Sequence, residues 1–407
     1  MTFSQALHNG SCVKQDNAMR LAPWPFYDTD EIAAASEVFA TGDVNYWTGT
    51  RCRSFEKQFA KFTGSRHSVA LANGTLALDL ALRALDIGVG DEVIVTPRTF
   101  IASVSTVINA GATPVFADVD ADSGNICAES ISAVLSKRTR AIIPVHLAGW
   151  PCDMRAIMDL AYQYNLFVVE DCAQAHGARI DGQSVGSFGN IGAWSFCQDK
   201  IMSTGGEGGM VTTDDDALWK KMWSFKDHGK SWDAVYERNH RPGFRWLHED
   251  FGTNWRMLEV QAAIGNIQLV KLENWVTRRC VIAARLREML ALFASAVRCP
   301  EPAEGIAHSH YRQYAYVRPQ GLRNGWDRDR IVAEANSRNL ALFQGSCSEV
   351  YLERAFDGHD CRPQAGLPIA RDLGETSLMF LTHPTITDEQ LDNFVTKMSE
   401  VLVAATR

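Results

Sequence analysis

Several features that would point to particular protein classes are missing from this sequence of 407 residues. None of its ten cysteines belongs to a C-x-x-C pair. Zinc and iron–sulfur sites need grouped thiolates, so no metal centre is expected and most of the cysteines should be free thiols. No run approaches the roughly 20 apolar residues of a membrane span; the richest, Ala141–Trp150, has the length of a strand.

Clusters of lysine and arginine are also missing, and the formal net charge is −8. Binding to nucleic acid requires grouped cations that neutralise phosphates, so nucleic acid is not expected as a partner. The first 17 residues lack the apolar run of a signal peptide. We therefore expect a soluble, cytoplasmic protein without a membrane partner, in which a local basic pocket can still bind one anionic metabolite.

Short apolar strands alternate with helical patterns from residue 67 to about residue 215. The alternation predicts a mostly parallel sheet covered by helices on both faces, the three-layer arrangement of an α/β fold. Ligands of such sheets bind where the strands end. Asn73-Gly74, Thr99-Phe100 and Asp171 all follow or close predicted strands, so they are expected to lie together.

A second, smaller α/β domain is expected at the C-terminus, because single hydrophobic cores rarely exceed about 250–300 residues. We place a large domain over residues 1–265, with an N-terminal arm over residues 1–40, and the small domain over residues 266–407. Near this boundary the pattern predicts two helices, Leu258–Leu272 and Val276–Phe293. Before them, residues 227–255 form a polar, aromatic stretch of a length that is usually functional.

The carboxylate of Asp171 closes the apolar run Phe167-Val-Val-Glu-Asp171. Burying a carboxylate is costly unless a cation meets it. A protonated ring nitrogen of a bound cofactor is one suitable cation, because it would keep the ring an electron sink. The alternative is a structural aspartate that caps a following helix.

Lys200 follows the strand-like Trp194-Ser195-Phe196 and precedes a glycine-rich segment, residues 205–209. Partial burial at the end of a strand would lower the pKa of its amine, as Schiff-base chemistry requires. The alternatives are a solvated loop lysine and glycines that only form a hairpin turn.

The segment Asn73-Gly74-Thr75 precedes a helical pattern, and the free amide groups of a helix N-terminus suit a phosphate. Ordinary capping by Asn73 is the alternative. Ser195 can add a hydroxyl to the same phosphate or be a plain strand residue. Phe100 can stack on a flat heterocycle or belong to the core.

In this order the motifs resemble those of the DegT/DnrJ/EryC1/StrS family of sugar aminotransferases, which use pyridoxal 5′-phosphate (PLP). The resemblance covers most of residues 40–275. Its most specific parts are Glu170-Asp171 with Ala173-Gln174, and Ser195-Phe196 with Lys200. The looser parts include Asn73-Gly-Thr-Leu-Ala-Leu78, Gly206-Glu-Gly-Gly209 and Asn254-Trp-Arg-Met257.

The resemblance implies a role for each matching residue. Lys200 would form the Schiff base with PLP, Asp171 would pair with its pyridine nitrogen, Phe100 would stack on its ring, and Gln174 would lie beside its ring oxygen. The phosphate would be held by Gly74, Thr75 and Ser195, and by Asn254 of a neighbouring subunit. The family thus implies a homodimer with shared sites; from the residues alone, Asn254 would only be a helix N-cap.

The implied reaction is ping-pong transamination from L-glutamate to a nucleotide-linked keto-deoxysugar. Our substrate hypothesis is C4 of a UDP-linked 4-keto-6-deoxy-N-acetylhexosamine, for a bacterial surface polysaccharide such as O-antigen. C3 amination or a dTDP- or GDP-linked sugar is the alternative, and a PLP-binding regulatory protein without turnover is a further one. Guanidinium groups match phosphate oxygens, so the candidates for holding the diphosphate are Arg245, Arg256 and Arg312, with Tyr311.

Overall fold

A computed structural model describes residues 23–239 and 246–407. Its main sheet has seven strands in the order β1-β9-β8-β5-β4-β2-β3, and only β9 runs against the others. The predicted mostly parallel sheet is therefore confirmed. The strands are β1 (His67–Leu71), β2 (Glu92–Val95), β3 (Thr113–Phe116), β4 (Thr139–Ile143), β5 (Phe167–Asp171), β8 (Ile191–Ser195) and β9 (Gly209–Thr213).

Alternate residues of each strand bury on opposite faces of this sheet, as the pleat requires. Val93 and Val95 pack in one apolar cluster, whereas Ile94 packs in another on the opposite side. The helices that precede the small domain are α1 (Thr29–Thr41), α2 (Arg51–Thr63), α3 (Gly74–Ala84), α4 (Ala102–Asn109), α5 (Ala128–Ser132), α6 (Met154–Tyr164), α7 (Asp216–Lys226) and α8 (Trp232–Tyr236). Covered on both faces, the sheet is the middle layer of three.

The small C-terminal domain contains an antiparallel sheet in the order β10-β12-β14-β13, which packs with three helices around its own apolar cluster. A third, three-stranded sheet has the order β11-β6-β7, with β6 paired to both of the other strands. The elements are β6 (Arg179–Ile180), β7 (Gln183–Ser184), α9 (Glu259–Ala291), β10 (Val297–Arg298), β11 (Ile306–Ala307), β12 (Arg312–Val317), α10 (Arg328–Ser337), β13 (Leu342–Phe343), α11 (Pro368–Thr376), β14 (Ser377–Leu381) and α12 (Asp388–Ala405).

The prediction of two helices near the domain boundary is wrong. α9 is one continuous helix of 33 residues, because Glu273-Asn274-Trp275 contains no glycine or proline that would break it. The predicted boundary at residue 265 falls inside this helix and stays a prediction. Within residues 23–239 and 246–407, no helix combines the length and the apolar character needed to cross a membrane.

Candidate active site

The carboxyl ends of β1, β2, β5 and β8 meet at one edge of the sheet, as predicted. Gly74, just after β1, is so close to Ser195 at the end of β8 that an added Cβ would lie 2.5 Å from the Ser195 Cβ. Ser103, in the first turn of α4 after β2, donates a 2.8 Å hydrogen bond to Asp171 at the end of β5. These contacts place four predicted strand ends around one site.

Gly74 and Ser195 form a close-packed cradle at the start of α3. Asn73 caps this helix, its Oδ1 accepting a 3.0 Å hydrogen bond from the Leu76 amide. Capping was one of the two predicted interpretations, and the glycine contact adds to it, since no side chain would fit between the backbone and Ser195. Thr75 is exposed in the same first turn. Backbone amides and two hydroxyls thus converge where a phosphate can bind.

Asp171 is 5% exposed and accepts hydrogen bonds from the Ser103 hydroxyl and from the Ala173 amide, at 2.8 and 3.1 Å. Burial raises the pKa of this carboxyl, although Ser103, Ala173 and the charge of Lys200 counter part of the rise. The alternative of a helix cap is wrong, because turns follow Asp171 up to β6. A buried carboxyl with neutral donors is suited to a cationic partner.

Lys200 lies in the loop between β8 and β9, with only 16% of its side chain exposed. Its Nζ is 3.4 Å from Asp199 Oδ1 and 5.3 Å from the centre of the Tyr311 ring. The solvated-loop alternative is therefore wrong. The expected lowering of its pKa is wrong as well: burial lowers the pKa, but electrostatic interactions with Tyr311 and Asp199 outweigh the effect of burial, so the net shift is upward.

The glycine-rich segment after Lys200 is a hairpin turn, as the alternative interpretation stated. The Phe196 amide donates to the Gly208 carbonyl and the Gln198 amide to the Gly206 carbonyl, at 2.8 and 3.0 Å. Gly206 has a φ of 109°, which a residue with a side chain rarely adopts. The hairpin brings Lys200 back toward the sheet edge.

Phe100 and Gln174 flank the site from two loops. Phe100 is 68% exposed, so the alternative of a core phenylalanine is wrong. Gln174 is half-buried, and its Oε1 accepts a 2.7 Å hydrogen bond from the Ala148 amide. Both side chains are therefore available beside Asp171, with Gln174 oriented by the loop after β4.

The four residues predicted as candidates for binding a diphosphate do not all lie together in the structure. Tyr311 and Arg312 lie next to the lysine, since the Tyr311 hydroxyl donates to Asp199 and the Arg312 guanidinium stacks 4.1 Å from the Tyr311 ring. Arg256 instead forms a 2.6 Å ion pair with buried Asp227. Arg245 lies outside the described residues. A diphosphate contact stays a prediction for all four.

Asn254 is exposed, and its backbone pairs with that of Asp227. The alternative of a helix N-cap is wrong, because α9 begins five residues later with Leu258 in the capping position. The following residue, Trp255, accepts a 3.0 Å hydrogen bond from the Ala72 amide. The segment that contains Asn254 is thus hydrogen-bonded to the chain directly before Asn73 and Gly74.

The atoms of His146, Glu170 and Cys172 that could bind a metal ion lie within 4.8 Å of one another. Hydrogen bonds explain this buried cluster. Glu170 accepts from His146 at 3.1 Å and from three backbone amides of residues 186–189. The other ring nitrogen of His146 accepts from the Cys152 amide at 3.0 Å. Both ring nitrogens are engaged, so these residues order the loop rather than offer a metal site.

Sequence reasoning missed three residues of the site: Ser103, Asp199 and Trp24. The indole of Trp24 donates to the Lys200 carbonyl at 2.8 Å. His176 is fully buried against Trp194, and within the described part of the chain neither of its ring nitrogens has a hydrogen-bond partner. Burial, together with the charges of Lys200 and Arg279, lowers its pKa to about 3. Asp199 adjoins the lysine that was singled out, so its proximity was the one available signal.

Known proteins resemble this chain along most of its length. An aminotransferase structure from Psychrobacter cryohalolentis is 55% identical, with a TM-score of 0.93, over 94% of this chain and 99% of that one. A UDP-N-acetyl-3-dehydro-alpha-D-glucosamine 3-aminotransferase of Acidithiobacillus ferrooxidans is 36% identical over 88% of this chain and 91% of its own length. A GDP-perosamine synthase of Caulobacter vibrioides is 35% identical over 86% and 89%.

The model of one protein family matches residues 25–399, which include every site residue described above except Trp24. The resemblance that the sequence motifs indicated is thereby confirmed, as is the fold class. The chain belongs to the DegT/DnrJ/EryC1/StrS aminotransferase family.

Proposed function

We propose that this enzyme uses PLP to transfer the amino group of L-glutamate to the keto carbon of a nucleotide-linked sugar. One observation carries the proposal. The amine of Lys200 and the carboxyl of Asp171, 29 positions apart in sequence, are close enough in the fold for the charge of one to shift the pKa of the other. The Gly74–Ser195 cradle lies at the same sheet edge.

The residues fit PLP in three respects. The cradle between Gly74 and Ser195 leaves no room for a Cβ but offers amides and a hydroxyl to a phosphate. The carboxyl of Asp171 is buried with neutral donors, as a partner of a pyridinium nitrogen would be. Phe100 exposes a flat ring at the end of β2 for stacking.

Each side chain then has a separate task. PLP, when bound, supplies an electron sink for the carbon that carries the amine. Asp171 holds the proton of the ring nitrogen, and Ser103 fixes the orientation of its carboxylate. Lys200 would hold the cofactor through its Nζ, and the same atom would hold and move the proton that changes carbon position. Gln174, held by the Ala148 amide, orients the ring from its oxygen side.

A UDP-linked keto-N-acetylhexosamine is the substrate we propose, within a pathway to a bacterial surface glycan. Support comes from the Acidithiobacillus relative, whose name specifies a UDP-linked N-acetyl sugar. We retain amination at C4 of the 4-keto-6-deoxy sugar as the first candidate. The same relative is named a 3-aminotransferase, which favours C3 as the second. A GDP-linked sugar is the third, since the Caulobacter relative is named GDP-perosamine synthase.

We further propose that two copies of the chain share their sites through Asn254. Asn254 is exposed, so its side chain is available to a neighbour. Large apolar side chains lie exposed in the same segment, with Phe251 93% exposed, Trp246 84% and Leu258 53%. Burying such a patch against a second copy would gain hydrophobic free energy.

Absorbance spectra and product analysis test the function. Purified protein loaded with PLP should show the visible absorbance of a Schiff base, which L-glutamate should convert to the pyridoxamine form. The loaded enzyme is then given UDP-4-keto-6-deoxy-N-acetylglucosamine, UDP-3-keto-N-acetylglucosamine or GDP-4-keto-6-deoxymannose, and the amino product is identified by mass spectrometry and NMR. Lack of an amino sugar from all three would refute the sugar substrate.

The matched variants are Lys200→Ala and Lys57→Ala, the latter at an exposed position of α2. Lys200→Ala should retain its circular dichroism but lose the Schiff-base absorbance and the transfer of the amine. Lys57→Ala should behave as wild type. Normal turnover by Lys200→Ala would overturn the role of Lys200.

A further inference from the structure

The ring of Tyr311 collects cationic side chains beside the lysine. Lys200 Nζ lies 5.3 Å from the ring centre and the Arg312 guanidinium 4.1 Å from it, both within cation–π range. Both distances are measured to the same ring centre, so the Lys200 amine and the Arg312 guanidinium are at most roughly 10 Å apart. A third cation, Arg279 of α9, donates to the Tyr311 backbone carbonyl at 3.4 Å.

The positive charge in this region exceeds the negative charge that contacts it. Two carboxyl groups, that of Asp199 beside Tyr311 and that of Asp171 within electrostatic reach of Lys200, face the three cations Lys200, Arg312 and Arg279. Arg279 is completely buried, and its Nε and Nη2 have no hydrogen-bond partner among the residues that the structure describes. Buried cations with free donors are costly unless an anion joins them. The cluster is therefore suited to an anionic ligand.

Two anions are present in the proposed reaction, the diphosphate of the sugar nucleotide and the carboxylates of the amino donor. Arg312 is 8% exposed, at the beginning of β12 and close to the reacting amine. In an amino acid the α-carboxylate is one bond from the carbon that bears the amine. In a sugar nucleotide, the sugar ring separates the keto carbon from the diphosphate, and the bulky nucleotide needs open space beyond it. The enclosed position of Arg312 favours the shorter ligand.

We propose that Arg312, supported by Arg279 behind Tyr311, binds a carboxylate of the amino donor. This inference rests on the proposed transaminase function and assigns Arg312 to its first half-reaction, instead of the diphosphate contact predicted from the sequence. Tyr311 holds the guanidinium in place, since its backbone carbonyl and hydroxyl accept from the two Arg312 terminal nitrogens at 3.0 and 3.3 Å. The guanidinium fork matches the two oxygens of a carboxylate.

The two halves of a ping-pong reaction can be measured separately, which tells the two anions apart. Stopped-flow absorbance follows the conversion of the PLP form by L-glutamate, and then the conversion of the pyridoxamine form by the keto-sugar. Arg312→Gln should lower the second-order rate constant with glutamate by about 10- to 100-fold, as expected for a charge-assisted hydrogen bond. The keto-sugar half-reaction should change by less than about threefold. Arg312→Lys, which keeps the charge without the fork, should fall between wild type and Arg312→Gln.

Calorimetry on the protein without PLP gives a readout that is independent of turnover. Glutarate, a dicarboxylate that cannot react, should bind the wild type and lose at least tenfold in affinity for Arg312→Gln. Inorganic pyrophosphate is the second probe, and its affinity should change little. The control is Arg298→Gln, since Arg298 also stacks on a tyrosine of the small domain, 4.4 Å from Tyr316, but already pairs with Asp122.

A selective loss in the keto-sugar half-reaction, or of pyrophosphate binding, would assign Arg312 to the diphosphate and overturn the inference. Equal losses in both halves, shared by Arg312→Lys, would show a structural role and overturn it as well. Failure of the proposed function is distinguishable from these outcomes. In that case the wild type would convert with glutamate but aminate none of the keto-sugars.

Discussion

The indole Nε1 of Trp24 donates a 2.8 Å hydrogen bond to the backbone carbonyl of Lys200, 176 positions away in the chain. The same indole packs edge-on against Trp275 of α9 at 5.2 Å, and the Arg279 guanidinium lies 5.2 Å from its ring. Nearby, the Tyr27 hydroxyl donates to Ser203 Oγ at 3.2 Å. The N-terminal segment is thus bonded to the lysine turn at two points and to the helix that enters the small domain.

Replacing Trp24 with phenylalanine separates the hydrogen bond from the packing. Trp24→Phe keeps an aromatic ring but removes the N–H, leaving the Lys200 carbonyl without this donor. We expect a loss of about 1 kcal/mol in the free energy of unfolding and faster hydrogen exchange in residues 197–204. Trp24→Ala should cost about 3–5 kcal/mol. Urea denaturation and exchange mass spectrometry measure the two effects.

Trp326→Phe, at a partly buried position that packs against the core of the small domain, is the control for general effects of shortening a tryptophan. It should leave exchange in residues 197–204 unchanged. If Trp24→Phe also leaves that exchange unchanged, the Trp24 hydrogen bond does not order the turn.

The local parts of this architecture could be predicted from the sequence, whereas the contacts between distant segments could not. Lys200 and Asp171 were identifiable because each belongs to a short motif at the end of an apolar strand, and parallel strands align their carboxyl ends by rule. The apolar periodicity and the flanking caps of α6 and α12 are local features of the same kind.

Trp24 and Tyr311 carried no local signal of their positions beside Lys200. Trp24 reaches the lysine across 176 residues and Tyr311 reaches Asp199 across 112. Such contacts depend on how distant segments of the chain pack against one another, and periodicity within a window of residues contains no information about that. The direction of the Lys200 pKa shift failed for the same reason, because it depends on Tyr311 as well as on burial.

Gly74 is a position where one added carbon should disturb the phosphate cradle. In Gly74→Ala the new Cβ would lie 2.5 Å from the Ser195 Cβ, a distance that forces α3 and β8 apart. We expect the dissociation constant for PLP to rise at least about tenfold, with a loss of about 1–3 kcal/mol in the free energy of unfolding. Spectroscopic titration with PLP and urea denaturation give the two values.

Gly88→Ala is the matched control, because its Cβ would meet only the Ala110 carbonyl, at an ordinary 3.6 Å. It should bind PLP like the wild type. Wild-type affinity in Gly74→Ala would show that the cradle is not the phosphate site.

His176 should make the stability of the protein depend on acid pH. Its pKa is lowered from 6.5 to about 3, mainly by burial. Below pH 6.5 the unfolded chain therefore binds a proton that the folded chain does not, and the free energy of unfolding falls as the pH falls from 6.5 toward 3. His176→Leu removes the titrating ring. The slope of the free energy of unfolding against pH should therefore decrease by about 1.4 kcal/mol per pH unit well below pH 6.5.

Urea denaturation at pH 7.0 and at several values below 6.0 measures that slope. His310 and His383 have pKa values lowered to about 3 as well, so the variant should retain part of the dependence. His359→Leu, at an exposed position, should keep the wild-type slope. An unchanged slope in His176→Leu would mean that His176 is protonated to the same extent in the folded and the unfolded chain.

Asp227 is the anchor of the segment that carries Asn254. It is completely buried, and its carboxylate accepts hydrogen bonds from Arg256 at 2.6 Å, Trp47 at 2.8 Å and Lys230 at 3.1 Å. Its backbone also pairs with that of Asn254. The segment from Asn254 to Arg256 is therefore bound to Asp227 both by this backbone pairing and by the ion pair.

Asp227→Asn keeps the shape of the side chain but leaves two mostly buried cations without their counter-charge. Breaking a buried ion pair from one side typically costs about 3–5 kcal/mol, because the partner stays desolvated. We expect a loss of that order in urea denaturation, together with weaker PLP binding if Asn254 contributes to the phosphate site. Asp233→Asn breaks the half-exposed pair with Lys220 and should change stability far less, since water solvates the released lysine. If both substitutions lower the free energy of unfolding equally, burial does not strengthen the ion pairs of Asp227. If Asp227→Asn is destabilised but binds PLP with wild-type affinity, the Asp227 ion pairs do not contribute to the cofactor site.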